Sequence, residues 1–248
     1  MNRGGEGIND TRMAARASAR KGWLMSAAAA AGLLLAGAAQ AQAISVNVSA
    51  VTDYVVRGIS QTNEGGALQG GIDLGMGPGY FGIWASTVDF GNGTDTEVDV
   101  YGGIKPSWMG ITFDIGAIAY RYFGQPDDAN LGYYEIKGAA SYAFDFAAIG
   151  TAIYWSPNFG GAGSIEATYY EINAAVPVPV VANLSLTGAY GRQTMQGTGD
   201  YNTWNVGLNW APISWLSLDG RYWDTDEHGL GTNYEERAVG GIKATFAF

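Results

Sequence analysis

Three acidic residues, Asp95, Glu97 and Asp99, alternate with Thr96, Val98, Val100, Gly102 and Ile104, which are apolar or small. Carboxylate oxygens suit hard divalent cations. A strand rises ~3.3 Å per residue, however, so the three spread over about 13 Å and make an acidic wall rather than one ion site. The same alternation puts Asp53 and Arg57 on one face of Ser45 to Arg57, again about 13 Å apart, so each needs a partner on another strand. Read by this parity, the candidate pore-lining set is Asp53, Arg57, Asp73, Asp89, Glu97, Asp99, Glu135, Lys137, Arg221, Arg237 and Lys243; Lys105, Asp114, Glu171 and Asp219 share the inward face. Arg57 and Arg237 are expected at one rim, facing Asp89, Glu97 and Asp99 across a mouth.

His228 is the only histidine, in the loop Asp224-Thr225-Asp226-Glu227-His228-Gly229. An Asp-x-His pattern resembles outer-membrane aspartyl-type proteases, but the second carboxylate pair that such a cleft needs is not evident. A serine triad would need Ser and His on one wall, which a Gly-flanked loop does not supply. A barrel hydrolase using His228 is therefore the weakest alternative. No catalytic residue, metal or cofactor is expected, and the chain is read as a non-enzyme.

The elements that must carry these charges are strands. Period-two runs and the breaks between them give twelve candidates: Ser45 to Arg57, Leu68 to Met76, Tyr80 to Phe90, Asp95 to Lys105, Ile111 to Ala119, Tyr133 to Phe144, Ala148 to Ser156, Tyr169 to Ala175, Asn183 to Tyr190, Thr203 to Trp210, Leu216 to Trp223 and Ala238 to Phe248. The seventh is ambiguous in register. The eighth opens Tyr169-Tyr170-Glu171-Ile172, repeating Tyr133-Tyr134-Glu135-Ile136 one hairpin pair earlier. Connections after even-numbered strands are short and mostly Pro-bearing; the others are longer, Gly-rich and acidic. Tyr and Trp cluster near both kinds of connection, as two interfacial girdles would. The fold expected is all-β: a transmembrane antiparallel up-and-down barrel of about twelve strands. Such a barrel is wider than the eight-stranded size that side chains fill and narrower than general porins, so a narrow or partly occluded monomeric channel is expected.

The ends fit export. Arg16, Arg20 and Lys21 precede the apolar run Ala27 to Ala39 and the small-x-small exit Ala39-Gln40-Ala41-Gln42-Ala43, the parts of a signal peptide. Cleavage is placed after Ala43, with Ala41 as the alternative, giving a leader over 1–43 and a barrel over 44–248; the long basic region leaves Met1 or Met13 as the start. Five of the 13 basic and two of the 23 acidic residues fall in 1–43, so the remainder has 8 basic and 21 acidic residues and a net charge of −13. That balance excludes nucleic acid as a partner. The chain has no cysteine, which excludes disulfides and thiolate chemistry.

The segments Asp53-Tyr54-Val55-Val56-Arg57-Gly58-Ile59-Ser60-Gln61-Thr62, Ala67-Leu68-Gln69-Gly70-Gly71-Ile72-Asp73, Trp84 to Phe90 and Glu97-Val98-Asp99-Val100-Tyr101, with a terminal Phe, resemble the proteobacterial porin family called TorF. The resemblance covers essentially the whole exported chain. It implies a signal peptide, a barrel of about this length and an outer-membrane location in a Gram-negative bacterium; the short turns on one rim and longer loops on the other put both termini on the periplasmic side. Phe246 and Phe248 would be the signal read by the barrel-assembly machinery. Outer-membrane lipid and lipopolysaccharide would surround the barrel and small polar solutes would pass it, with a cation preference set by the acidic mouth. The alternative is a plugged structural or adhesive barrel.

Overall fold

The computed structural model of the chain describes residues 43–127, 129–161, 165–197 and 199–248. The expected leader lies outside the described residues except for Ala43, which already pairs with Gly75. Twelve long strands follow one another: β1 (Ala43–Val51), β2 (Ala67–Met76), β3 (Gly79–Thr87), β4 (Thr96–Ile104), β5 (Ile111–Phe123), β6 (Tyr133–Ala143), β7 (Ala148–Phe159), β8 (Ile165–Pro177), β9 (Leu184–Met195), β10 (Tyr201–Ile213), β11 (Leu216–Thr225) and β12 (Arg237–Ala247). Each pairs antiparallel with the next. β1 also pairs with β12, Ser45 opposite Ala247 and Val51 opposite Gly241, so the sheet closes into a barrel with no free edge.

Alternation dictates the two surfaces. Ile72, Val100, Ile115, Ile136, Ile172, Val206 and Ile242 stand exposed on the outside of the wall, while Asp73, Glu97, Asp99, Glu135, Glu171 and Arg221 are buried on its inside. A water-soluble barrel would have the opposite arrangement; apolar outside and polar inside is the solution for hydrocarbon. The repeated Tyr-Tyr-Glu-Ile segments share one parity, since Tyr134, Ile136, Tyr170 and Ile172 point out and Glu135 and Glu171 point in.

The connections sort by rim. Residues 77–78, 105–110, 144–147, 178–183 and 214–215 make the short turns on the side of both described chain ends; among the described residues 52–66, 88–95, 124–127, 129–132, 160–161, 196–197, 199–200 and 226–236 lie on the other rim. The longest of these, 52–66, is where the structure departs from the sequence reading. β1 stops at Val51 rather than running to Arg57. The chain then forms a hairpin of two-residue strands, Val55–Val56 against Ile59–Ser60. At its tip Arg57 and Gly58 both have positive φ, 51° and 84°, as a two-residue turn of the right-handed hairpin type requires.

Candidate functional site

That hairpin enters the lumen and crosses it. The Arg57 guanidinium donates from Nη1 to Glu135 Oε1 and from Nη2 to Glu135 Oε2, both at 2.8 Å. It also reaches Gln193 on β9 at 3.3 Å and lies over the rings of Tyr154 on β7 and Tyr169 on β8, 5.0 and 4.6 Å from their centroids. Gly58 sits so close to Thr203 on β10 and Thr225 on β11 that a Cβ would overlap both. A segment leaving the wall between β1 and β2 therefore docks on the facing wall, β6 to β11.

The base of the hairpin is held by Asp53. Its carboxylate accepts from Ser60 Oγ at 2.7 Å, Thr62 Oγ1 at 3.0 Å and Arg237 Nη1 at 2.9 Å. Tyr54, 5% exposed, donates its phenol to Glu97 Oε1 at 3.0 Å and packs its ring on Trp84 at 5.4 Å. Burial, reinforced by the Glu97 carboxylate, pushes the Tyr54 phenol pKa well up. Burial alone would lower the Arg57 guanidinium, but Glu135 beside it more than offsets this and the net shift is upward. The segment Asp53 to Thr62 is thus a hairpin with its own clamp.

The rest of the loop-side lumen is filled by phenols. Tyr120 donates to Glu135 at 3.0 Å and stacks on Tyr133 at 4.4 Å, and Tyr169 donates to Glu171 at 3.1 Å. These rings, with Tyr54, Tyr122, Tyr154 and Tyr201, were expected in an outer girdle and point inward instead. Alternation separates neighbours: Tyr134, Tyr170, Tyr190 and Tyr222 are exposed outside, while Tyr169 and Tyr201 are buried.

Below the hairpin the lumen is open. A cavity of about 1110 Å³ reaches from the short-turn rim, where Trp215 and Phe248 border it, up to Asp53, Tyr54, Val55, Asp99 and Tyr154. Its charged lining is Asp53, Asp73, Asp99, Asp114, Glu171 and Asp219 against Lys105, Lys137, Arg221 and Lys243. Asp114 takes Lys137 at 2.6 Å and lies 3.7 Å from Lys105, and Arg221 bonds Asp219, Asn205 and Thr187 across three strands. Tyr101 donates to Asp73.

Three sequence expectations need correction. Arg57 does not line the rim and faces none of Asp89, Glu97 and Asp99; carried on the hairpin, it pairs with Glu135. Arg237 pairs with Asp53, because the end of β1 at Val51 turns Asp53 into the lumen beside β12. Asp89 is not inside at all: β3 ends at Thr87, and the exposed Asp89 carboxylate accepts from the Gly91 amide at 2.9 Å to make a turn. The other predicted positions lie inside as read.

On the outer rim, His228 Nε2 lies 2.9 Å from Asp224 Oδ1, and Glu236 approaches them, the three ligand atoms within 4.8 Å of one another. The hydrogen bond to Asp224 raises the His228 pKa above its ordinary 6.5. Phe246 stacks on Trp215, and the Phe248 amide bonds to Ile44 O at 2.8 Å, sealing the end of the seam.

Residues 35–248 match the model of a family described as "Bacterial protein of unknown function (Gcw_chp)". The chain belongs to that family. No curated protein matches it. Among solved structures it is similar to the KdgM porin, at 11% identity and a TM-score of 0.54 over 82% of this chain and 99% of that one. It is similar to the COG4313 outer membrane channel from Pseudomonas putida F1, at 9% identity and 0.52 over 86% and 97%. It is likewise similar to the NanC porin, at 9% and 0.51 over 84% and 98%. At these identities the likeness is one of fold.

Proposed function

We propose that the chain is an outer-membrane channel for small polar solutes, in which the hairpin 52–66 restricts passage. The observation that carries this reading is a cavity lined by ten charged side chains, open at the short-turn rim and ending under the hairpin, inside a barrel whose exterior is apolar. The fold shared with porins and channels supports it, as does the resemblance of Asp53 to Thr62 to the TorF porins, since that motif here is the hairpin itself. Both described chain ends, Ala43 and Phe248, lie on the short-turn side, the side that is periplasmic in outer-membrane barrels. Lipid and lipopolysaccharide meet the exterior, the barrel acts as a monomer, and no chemistry is assigned to His228. Phe246 and Phe248 mark the last strand for the assembly machinery; deleting Phe248 lowers the amount of heat-modifiable barrel in outer membranes, and undiminished assembly would count against that role.

Six carboxylates against four basic groups line the cavity, so cations are favoured over anions. The KdgM porin has been solved in complex with disordered oligogalacturonate; a polymer of acids does not suit this lining, and that ligand is not carried over. The seated hairpin favours one rival, a plugged structural barrel. Swelling of liposomes carrying the full chain separates the two. Uptake of small neutral and cationic solutes, slower for anions of equal size, is expected; no swelling with any solute would establish the plugged scaffold.

A further inference from the structure

Each lumenal carboxylate but one has a donor. Asp53 has Arg237, Ser60 and Thr62; Glu97 has Tyr54; Asp114 has Lys137; Glu135 has Arg57 and Tyr120. Asp99 is 7% exposed, no described donor reaches it, and its Oδ1 is buried without a hydrogen-bond partner. Another buried carboxyl, that of Glu97, lies two positions along the same face of β4, and Glu135 adds a third negative group nearby. A buried carboxylate without a donor or counter-charge is costly, by several kcal/mol even after relaxation. Asp99 nevertheless borders the inner end of the cavity, so solvent-borne ions have a path to it from the short-turn rim.

We infer that Asp99 and Glu97 form a binding site for a hard divalent cation, of the calcium and magnesium class, at the blind end of the cavity. The sequence spacing spreads Asp95, Glu97 and Asp99 too widely for one ion. The structure removes that objection: Asp95 is exposed and drops out, the hairpin brings Tyr54 onto Glu97, and the two buried carboxyls stand two positions apart on the inner face of β4. Such ions take carboxylate oxygens and keep water in their remaining positions, which the cavity supplies. A bound cation neutralises Asp99 and stiffens the seat of the hairpin through Glu97 and Tyr54. The site does not depend on whether solutes cross the barrel.

The structure supplies a reporter. Trp84 stands opposite Asp99 in the β3–β4 register, and Tyr54 packs on Trp84, so a Tb³⁺ ion in the site is sensitised by these rings. Titrating the refolded full chain in detergent with Tb³⁺ is expected to give saturable emission on aromatic excitation, suppressed by excess Ca²⁺. Asp99→Asn and Glu97→Gln are expected to weaken it on the order of tenfold or more, while Asp95→Asn, at the exposed neighbour, leaves it unchanged. Heat-modifiable migration identifies the variants that have folded, and Mn²⁺ binding read by electron paramagnetic resonance on the unmodified chain gives a measurement free of any variant. A wild-type titration without a saturable component, as a proton shared between the two carboxyls would produce, overturns the site. So does a signal that survives Asp99→Asn.

Discussion

The two halves of the lumen are built from the same twelve strands and the same inward alternation, yet one is filled and the other is open. In the loop-side half, a hairpin, a bidentate Arg57–Glu135 pair and inward tyrosines occupy the cross-section. In the short-turn half, Asp73, Lys137 and Arg221 bond only along or across the wall, and about 1110 Å³ of space is left. The difference comes from chain outside the ladder: 52–66 is long enough to cross, whereas 77–78 and 214–215 are tight turns with nothing to insert. A barrel of this width stays open wherever no loop enters it, and the wall charges of the two halves take their roles from that.

The sharpest way to break the contrast is Glu135→Ala, which leaves the Arg57 guanidinium docked without its counter-charge. Stranding one member of a buried pair costs about 3–5 kcal/mol, enough to loosen the hairpin tip while the Asp53 clamp still holds its base. Hydrogen exchange is expected to rise for amides of the hairpin and to stay slow for the β1–β12 seam; unchanged protection at the hairpin would show that the pair does not hold it. Removing both partners together, Arg57→Ala with Glu135→Ala, is expected to cost less than Glu135→Ala alone, a non-additivity that marks direct coupling.

Much of the wall was legible because a period of two with one apolar face has few other readings. The twelve strands, the closing β1–β12 seam and the inward parity of Asp73, Glu97, Glu135, Lys137, Arg221 and Lys243 follow from that pattern. The hairpin was not read, because Val46 to Val56 continues the alternation unbroken past the point where the strand ends. Its local signal was present: Arg57-Gly58 between Val55-Val56 and Ile59-Ser60 is a two-residue turn between β-branched runs. Asp53, Ser60 and Thr62 are the side chains that fold such a turn back on itself. Tyrosine position alone could not separate girdle from plug, since Tyr133 and Tyr134 differ by one residue and face opposite ways. Which carboxylate lacks a donor depends on partners far apart in sequence, and only the closed barrel reveals it.

A smaller effect probes the open half. Lys243 has no hydrogen-bond or ion-pair partner among the described residues and borders the cavity, so Lys243→Ala is expected to raise the ratio of cation to anion permeability while hairpin protection stays unchanged. A fall in that ratio would contradict the charge account of the lumen. The smallest effect lies on the outer rim. His228 has its folded pKa raised by Asp224, so their contact is fully present below about pH 6.5 and is lost as pH rises through the folded value. As the only histidine, it can be followed by nuclear magnetic resonance; a midpoint above 6.5 that Asp224→Asn brings down is expected, and the opening of the cavity should not follow it.

Single-channel conductance in planar bilayers, comparing the full chain with a variant in which residues 54–62 are replaced by a short Gly-Ser turn, tests the central claim most directly. The account predicts small, cation-favouring steps for the full chain and steps several-fold larger for the variant, because the cavity would then continue to the loop-side rim. Equal conductance in the two proteins would show that the hairpin does not restrict the lumen and would contradict the account.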